Sequence, residues 1–145
     1  MTAKYLLGVD VGTSSTKGVI TDFDGRVLAF RSIETELDSP HPGWFEHDAE
    51  KVWWGSFCWT TRALLDSANI KASDIAAVGV SAICPDMLPL DENGRPLRPA
   101  ILYGIDGRAQ NEIEELNALL GQDFIFRQSV NILSGQSITP KYLWF

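Results

Sequence analysis

Cysteine, histidine and basic charge are all scarce in this 145-residue chain, and each scarcity removes a class of function. The two cysteines, Cys58 and Cys84, have neither the paired spacing of a zinc site nor the even framework of a disulfide scaffold, so both read as reduced thiols. His41 and His47 share one proline-containing loop without a carboxylate or cysteine cluster at ligand spacing, and read as loop contacts rather than metal ligands. With 12 basic residues against 19 acidic ones, the net charge is −7 and the pI about 4.7. That balance argues against a nucleic-acid surface, and any phosphate the chain handles must meet positive charge placed locally. No apolar run approaches the roughly 20 residues that cross a bilayer, and the start Met-Thr-Ala-Lys lacks a secretory pattern. No membrane contact and a cytoplasmic location are expected. The common P-loop, Gly-x-x-x-x-Gly-Lys-Ser/Thr, is also missing. What is present, 45% hydrophobic and 21% charged residues, is the composition of an ordinary globular chain able to bury one core, a single domain at most.

The most informative stretch is Gly8 to Gly18. Leu6 to Val9 form a continuous apolar run suited to a buried strand, which ends in Asp10 and then turns through Gly12 into four consecutive hydroxyl residues. A carboxylate fixed at a strand end is a ligand for a hard cation such as magnesium. Gly12 lets a phosphate approach the main chain, Thr13, Ser14, Ser15 and Thr16 supply short hydroxyls, and Lys17 supplies a compact positive charge. A polar hairpin turn, with Asp10 as an ordinary turn former, is the alternative for this stretch alone. Thr16 to Asp22 reads as a second strand and Val27 to Glu36 as a third, joined by a hairpin turn at Asp24-Gly25.

Further along, residues 38 to 47 form a loop, and Asp48 is placed to cap a helix whose Trp53, Phe57, Thr60 and Leu64 share one face toward the sheet. Ile75 to Ser81 reads as another buried strand and Asn93-Gly94 as a hairpin turn. Arg108 to Leu120 reads as a helix with Ile113, Leu116 and Leu120 inward and Gly121 as its stop. Thr139-Pro140 opens a last helix, with threonine as cap and proline at the first helical position.

Tyr5 to Gly25 resembles the first phosphate motif of the actin, Hsp70 and sugar-kinase superfamily. Three later segments resemble, in order, the FGGY carbohydrate kinases within it: Pro42-Gly43-Trp44-Phe45-Glu46-His47-Asp48 with Val52-Trp53-Trp54, the strand Val78-Gly79-Val80-Ser81, and the hairpin Pro89 to Tyr103 leading to Asp106-Gly107-Arg108. The resemblance implies an α/β fold of the ribonuclease H-like type, a mixed sheet with flanking helices, of which residues 1–145 would be part of the N-terminal domain. It implies ATP and Mg2+ as cofactors, a small sugar or polyol as substrate, and a homodimer as the full-length protein. Asp10 falls on the position near the metal and the transferred phosphate, and Gly12, Thr13, Ser14, Ser15 and Lys17 on the phosphate-binding turn. Asp86, Asp106 and Arg108 fall on the sugar side, where Asp106 is equally a helix cap and Arg108 a group holding a carboxylate in place. Family members are roughly three times longer, so this chain is expected to be a fragment, inactive alone, with the catalytic base and adenosine pocket past residue 145. At Cys84-Pro85 the chain departs from the Met-His of xylulokinases and the Arg-Glu of glycerol kinases. Cys84 reads as a packing residue rather than a nucleophile. Another ATPase of the superfamily and a non-catalytic homologue are the remaining readings.

Overall fold

The computed structural model describes residues 4–145, which divide into two compact units. The first takes the chain up to Glu36 and again Ala49–Ile83; the second takes Leu37–Asp48 and Cys84–Phe145. Buried side chains accordingly form two sets, where composition suggested one core.

The first unit is a four-stranded mixed sheet. Strands β1 (Tyr5–Val11), β2 (Ser15–Asp22) and β3 (Val27–Glu34) form the antiparallel meander expected, two residues shorter at its end than read from sequence. The chain then crosses over through helix α1 (Ser56–Ala68) to β5 (Ile75–Ala82), which lies parallel to β1 and completes the order β3-β2-β1-β5. At the β2–β3 turn, Asp22 Oδ1 accepts the amides of Asp24 and Arg26 at 3.0 and 2.9 Å, while Gly25 adopts φ +81°. That side-chain turn is why Asp and Gly are needed here.

Strand β1 is one-sided rather than buried on both faces. Leu7, Val9 and Val11 pack with Ile20, Ala29 and Leu64 into the core, whereas Leu6 and Asp10 point to the other face and are exposed. Each fully buried aliphatic contributes about 1.5–3 kcal/mol. From α1, Thr60 and Leu64 are wholly buried, and Trp53 and Phe57 flank them as their spacing implies. The helical course starts at Ala49, directly after Asp48, but Ala49–Gly55 forms wide π-helical turns before the α-helix begins at Ser56. Strand β5 is present but not buried: Val78 and Val80 are 53% and 60% exposed, because α1 lies over β1, β2 and β3.

In the second unit, β4 (Glu46–His47) pairs antiparallel with β6 (Ala100–Ile101). The Asn93-Gly94 turn repeats the earlier device, with Asp91 Oδ1 accepting the amides of Asn93 and Arg95, both at 2.8 Å. Helix α2 (Gln110–Leu120) buries Ile113 but leaves Leu120 44% exposed, so its inward stripe is shorter than expected. Gly121 ends it at φ 77°, and α3 (Gln122–Ser129), which periodicity did not reveal, follows at once. Helix α4 (Ile138–Trp144) has Ser137, not Thr139, at its cap position; Pro140 is tolerated in the first turn, where amides lack intrahelical acceptors. Among the described residues, no helix is long and apolar enough to cross a membrane.

Candidate functional site

The phosphate-turn residues lie together in the first unit. Lys17, Asp10 and Ser81 are direct cross-strand partners on β2, β1 and β5, so their side chains form a row across the open face of the sheet. Ser81 Oγ donates a hydrogen bond to Asp10 Oδ1 at 2.6 Å, which fixes the carboxylate on one side and leaves it exposed to solvent. The row borders a depression of about 470 Å³ whose lining includes Gly8, Gly18, Val19, Phe30, Gly79 and Val80. Gly12 closes the turn by donating its amide to the Ser15 carbonyl at 3.0 Å, and a Cβ on Gly12 would sit 3.0 Å from that same oxygen. Only glycine fits there without a shift of the turn. Thr35 anchors the turn, with its amide on the Ser14 carbonyl at 3.0 Å and its hydroxyl on the Thr13 carbonyl at 3.2 Å. Thr16 is not part of this face: it is fully buried and its hydroxyl meets Ser56 Oγ at 2.7 Å, tying β2 to α1.

The remaining candidates, Asp86, Asp106 and Arg108, lie in the second unit around a buried charge cluster. Arg108 donates to Asp106 Oδ1 through Nε at 2.9 Å, to Asp106 Oδ2 through Nη2 at 2.7 Å, and to Glu46 Oε1 through Nη1 at 2.6 Å. Arg98 also pairs with Glu46 Oε1. The Arg108 guanidinium stacks 4.2 Å over Trp44 and 5.0 Å from Trp144, and His41 packs edge-on against Trp44. Asp106 Oδ2 further accepts the Phe45 amide at 2.7 Å, and Oδ1 accepts the Arg108 amide at 3.1 Å. Helix α2 takes Ala109 as its cap position, so Asp106 organises the loop before the helix rather than the helix itself. Burial alone would raise the Asp106 pKa, but the Arg108 side chain and the Phe45 and Arg108 amides outweigh it and hold the carboxyl below its ordinary 3.8.

Asp86 has a different environment. Its Oδ1 accepts the Tyr103 amide at 2.6 Å, and burial raises its pKa above 3.8 against the opposing pull of that amide and of Lys141. Lys141 is 1% exposed, donates to the Leu102 carbonyl at 2.7 Å, and is pushed below its ordinary 10.5 by burial despite the attraction of Asp106 and Asp86. Cys84 is exposed and does not pack as expected, while Cys58 is half-buried in α1. Sequence reasoning passed over Ser81, Glu46, Arg98 and Lys141 as site residues. Register marks Ser81 once β1 and β5 are paired, whereas nothing in the local pattern marks a lysine on a short apolar helix as buried.

The mixed sheet in the order β3-β2-β1-β5 with its crossover helix defines the ribonuclease H-like fold found in sugar kinases. A xylulose kinase from Rhodospirillum rubrum superposes over 97% of this chain and 29% of its own, with a TM-score of 0.87 and 32% identity. Residues 5–145 match the family model described as the FGGY family of carbohydrate kinases, N-terminal domain, and the chain belongs to that family. It is 33% identical over 138 residues to the xylulose kinase of Escherichia coli K12, covering 95% of this chain and 27% of that protein. To the glycerol kinase of Chloroflexus aurantiacus it is 35% identical over 144 residues, covering 98% of this chain and 28% of the other. The chain thus spans about a quarter of the length of the relatives it matches.

Proposed function

We propose that the intact protein carrying this chain transfers the terminal phosphate of ATP to a hydroxyl of a small sugar or polyol in the cytoplasm. The observation that carries this reading is the row Lys17, Asp10, Ser81 beside the Gly12 turn. The donor set suits a magnesium–nucleotide pair: one exposed carboxylate, adjacent hydroxyls and a turn that a Cβ would fill. When bound, the ion neutralises charge developing on the transferred phosphoryl group. Asp10 would hold it, with Ser81 orienting the carboxylate; Gly12, Thr13, Ser14 and Ser15 would cradle phosphate oxygens; and Lys17 would add positive charge in a chain of net charge −7. Asp106 and Arg108, with each other's hydrogen-bonding groups occupied, would shape the acceptor side by holding the loop 103–108, and Asp86 would act beside Tyr103.

Assay of the intact protein by coupled ADP release against pentoses, hexoses, ketoses and polyols tests the proposal. An acceptor-dependent rate is expected, and Asp10→Asn should lower it by about 10²–10³-fold, the usual effect of removing one electrostatic stabiliser. Undiminished turnover in that variant removes Asp10 from the mechanism. Failure of the unaltered protein on every acceptor favours a non-catalytic homologue.

A further inference from the structure

Leu102 C=O and Tyr103 N–H are the two ends of one peptide group, and each is held by a charged side chain from a distant part of the second unit. Lys141 Nζ donates to the carbonyl at 2.7 Å, and Asp86 Oδ1 accepts from the amide at 2.6 Å. Charge-assisted bonds of this kind are roughly twice as strong as neutral ones. A cation on the oxygen and an anion on the hydrogen also align with the dipole of the peptide. Because the peptide is planar, holding both ends sets the orientation of the whole group and with it the direction in which the next side chain leaves the backbone. That side chain is Tyr103, 37% exposed, whereas Leu102 is wholly buried. Neighbouring bonds hold the same stretch: Leu102 N to Phe45 O at 3.1 Å and Gly104 N to Gly135 O at 3.2 Å.

We infer that Asp86 and Lys141 are positioning residues for the acceptor, gripping one peptide from opposite ends and so aiming the Tyr103 ring. The inference rests on the acceptor-side reading of residues 103–108. Lys141 is buried and Asp86 half-buried, each at a cost, since Asp86 is shifted up and Lys141 down, each toward its neutral form. Replacing buried opposite charges by apolar residues of similar volume is often neutral or stabilising, so stability alone does not account for keeping these two. Asp86 Oδ2 is buried without a hydrogen-bond partner among the described residues, so a single oxygen of the carboxylate does the gripping.

The test uses the intact protein, with Asp86→Ala, Asp86→Asn and Lys141→Met compared by steady-state kinetics and by amide hydrogen exchange of the segment 102–106. Asp86→Ala and Lys141→Met should raise the acceptor KM about tenfold and leave the ATP KM within about twofold, the signature of lost positioning on one substrate. Exchange in 102–106 should speed by about tenfold or more while the β1–β2 strands keep their protection. Asp86→Asn should recover most of the loss, because its amide oxygen still accepts from Tyr103. Should Asp86→Ala not fold, Lys141→Met keeps the buried stem and carries the same expectation. An unchanged acceptor KM, or an Asp86→Asn as impaired as Asp86→Ala, overturns the inference; the latter makes the charge itself a substrate contact. If the unaltered protein phosphorylates nothing, the kinase reading fails and the exchange data alone decide the grip, unchanged exchange overturning it.

Discussion

Arg108→Met removes the centre of the buried cluster while keeping most of its volume. Arg98 and Arg108 balance Glu46 and Asp106, and the substitution leaves two carboxylates facing one guanidinium. The side chains of Arg108 and Asp106 are both 0% exposed, so water cannot replace what is lost. Breaking a buried ion pair from one side costs about 3–5 kcal/mol. At about 2–4 °C per kcal/mol for a domain near this size, a fall in melting temperature of about 12 °C is expected. Trp44 and Trp144 flank the guanidinium, so tryptophan fluorescence during thermal unfolding reads the right place. The double variant Arg108→Met/Asp106→Asn should be less damaged than the sum of the singles, because it no longer carries the orphaned charge and its amide oxygen can still accept from Phe45. A loss below about 1 kcal/mol for Arg108→Met, or strict additivity in the double variant, would refute the reasoning.

Two further perturbations separate local causes. A methyl added by Gly18→Ala would lie 2.7 Å from both Leu64 Cδ1 and Thr60 Cγ2, and such overpacking should cost about 1–3 kcal/mol in urea unfolding. Gly79→Ala meets nothing within 4 Å and should stay within about 0.5 kcal/mol; equal losses would contradict the seating of α1 on β2. Asp106 and Asp86 should give pH profiles of opposite sign. Asp106, held below 3.8, contributes stability present above 3.8 and lost as pH falls through its lower folded value, so Asp106→Asn should flatten the acid limb of the melting curve. Asp86, raised above 3.8, favours folding in its protonated form, a contribution present below 3.8 and lost as pH rises through the folded value. Asp86→Asn should therefore raise the melting temperature at neutral pH, with the gain vanishing toward pH 3.8. Parallel profiles for the two variants would show that the environments were misassigned.

The meander and the phosphate turn were legible because their signals are local. Asp-Gly and Asn-Gly mark turns through their own backbone preferences, and the run Leu6 to Asp10 ends where its carboxylate is needed. Thr60 and Leu64 were legible from helical spacing. The exposed Val78 and Val80 were not, since hydrophobicity reports a wish for burial and not which neighbour supplies it. Helix α3 was missed because a glycine that stops one helix, Gly121, also sits at the cap of the next. In the candidate site, the pairing of Asp106 with Arg108 is two residues apart and readable. Glu46 meets Arg108 across 62 residues of chain, Arg98 meets Glu46 across 52 and Lys141 meets Leu102 across 39, and no local pattern encodes such meetings.

The π-helical stretch Ala49–Gly55 has an evolutionary corollary. Its hydrogen-bond span is one residue longer than that of an α-helix, so the loss of one codon there can be absorbed by tightening to ordinary α geometry. The same deletion inside Ser56–Ala68 would rotate everything beyond it by about 100°, swinging Leu64 off the sheet. Length variation among natural relatives around this helix should therefore gather before Ser56, leaving the frame that places Thr60 and Leu64 intact.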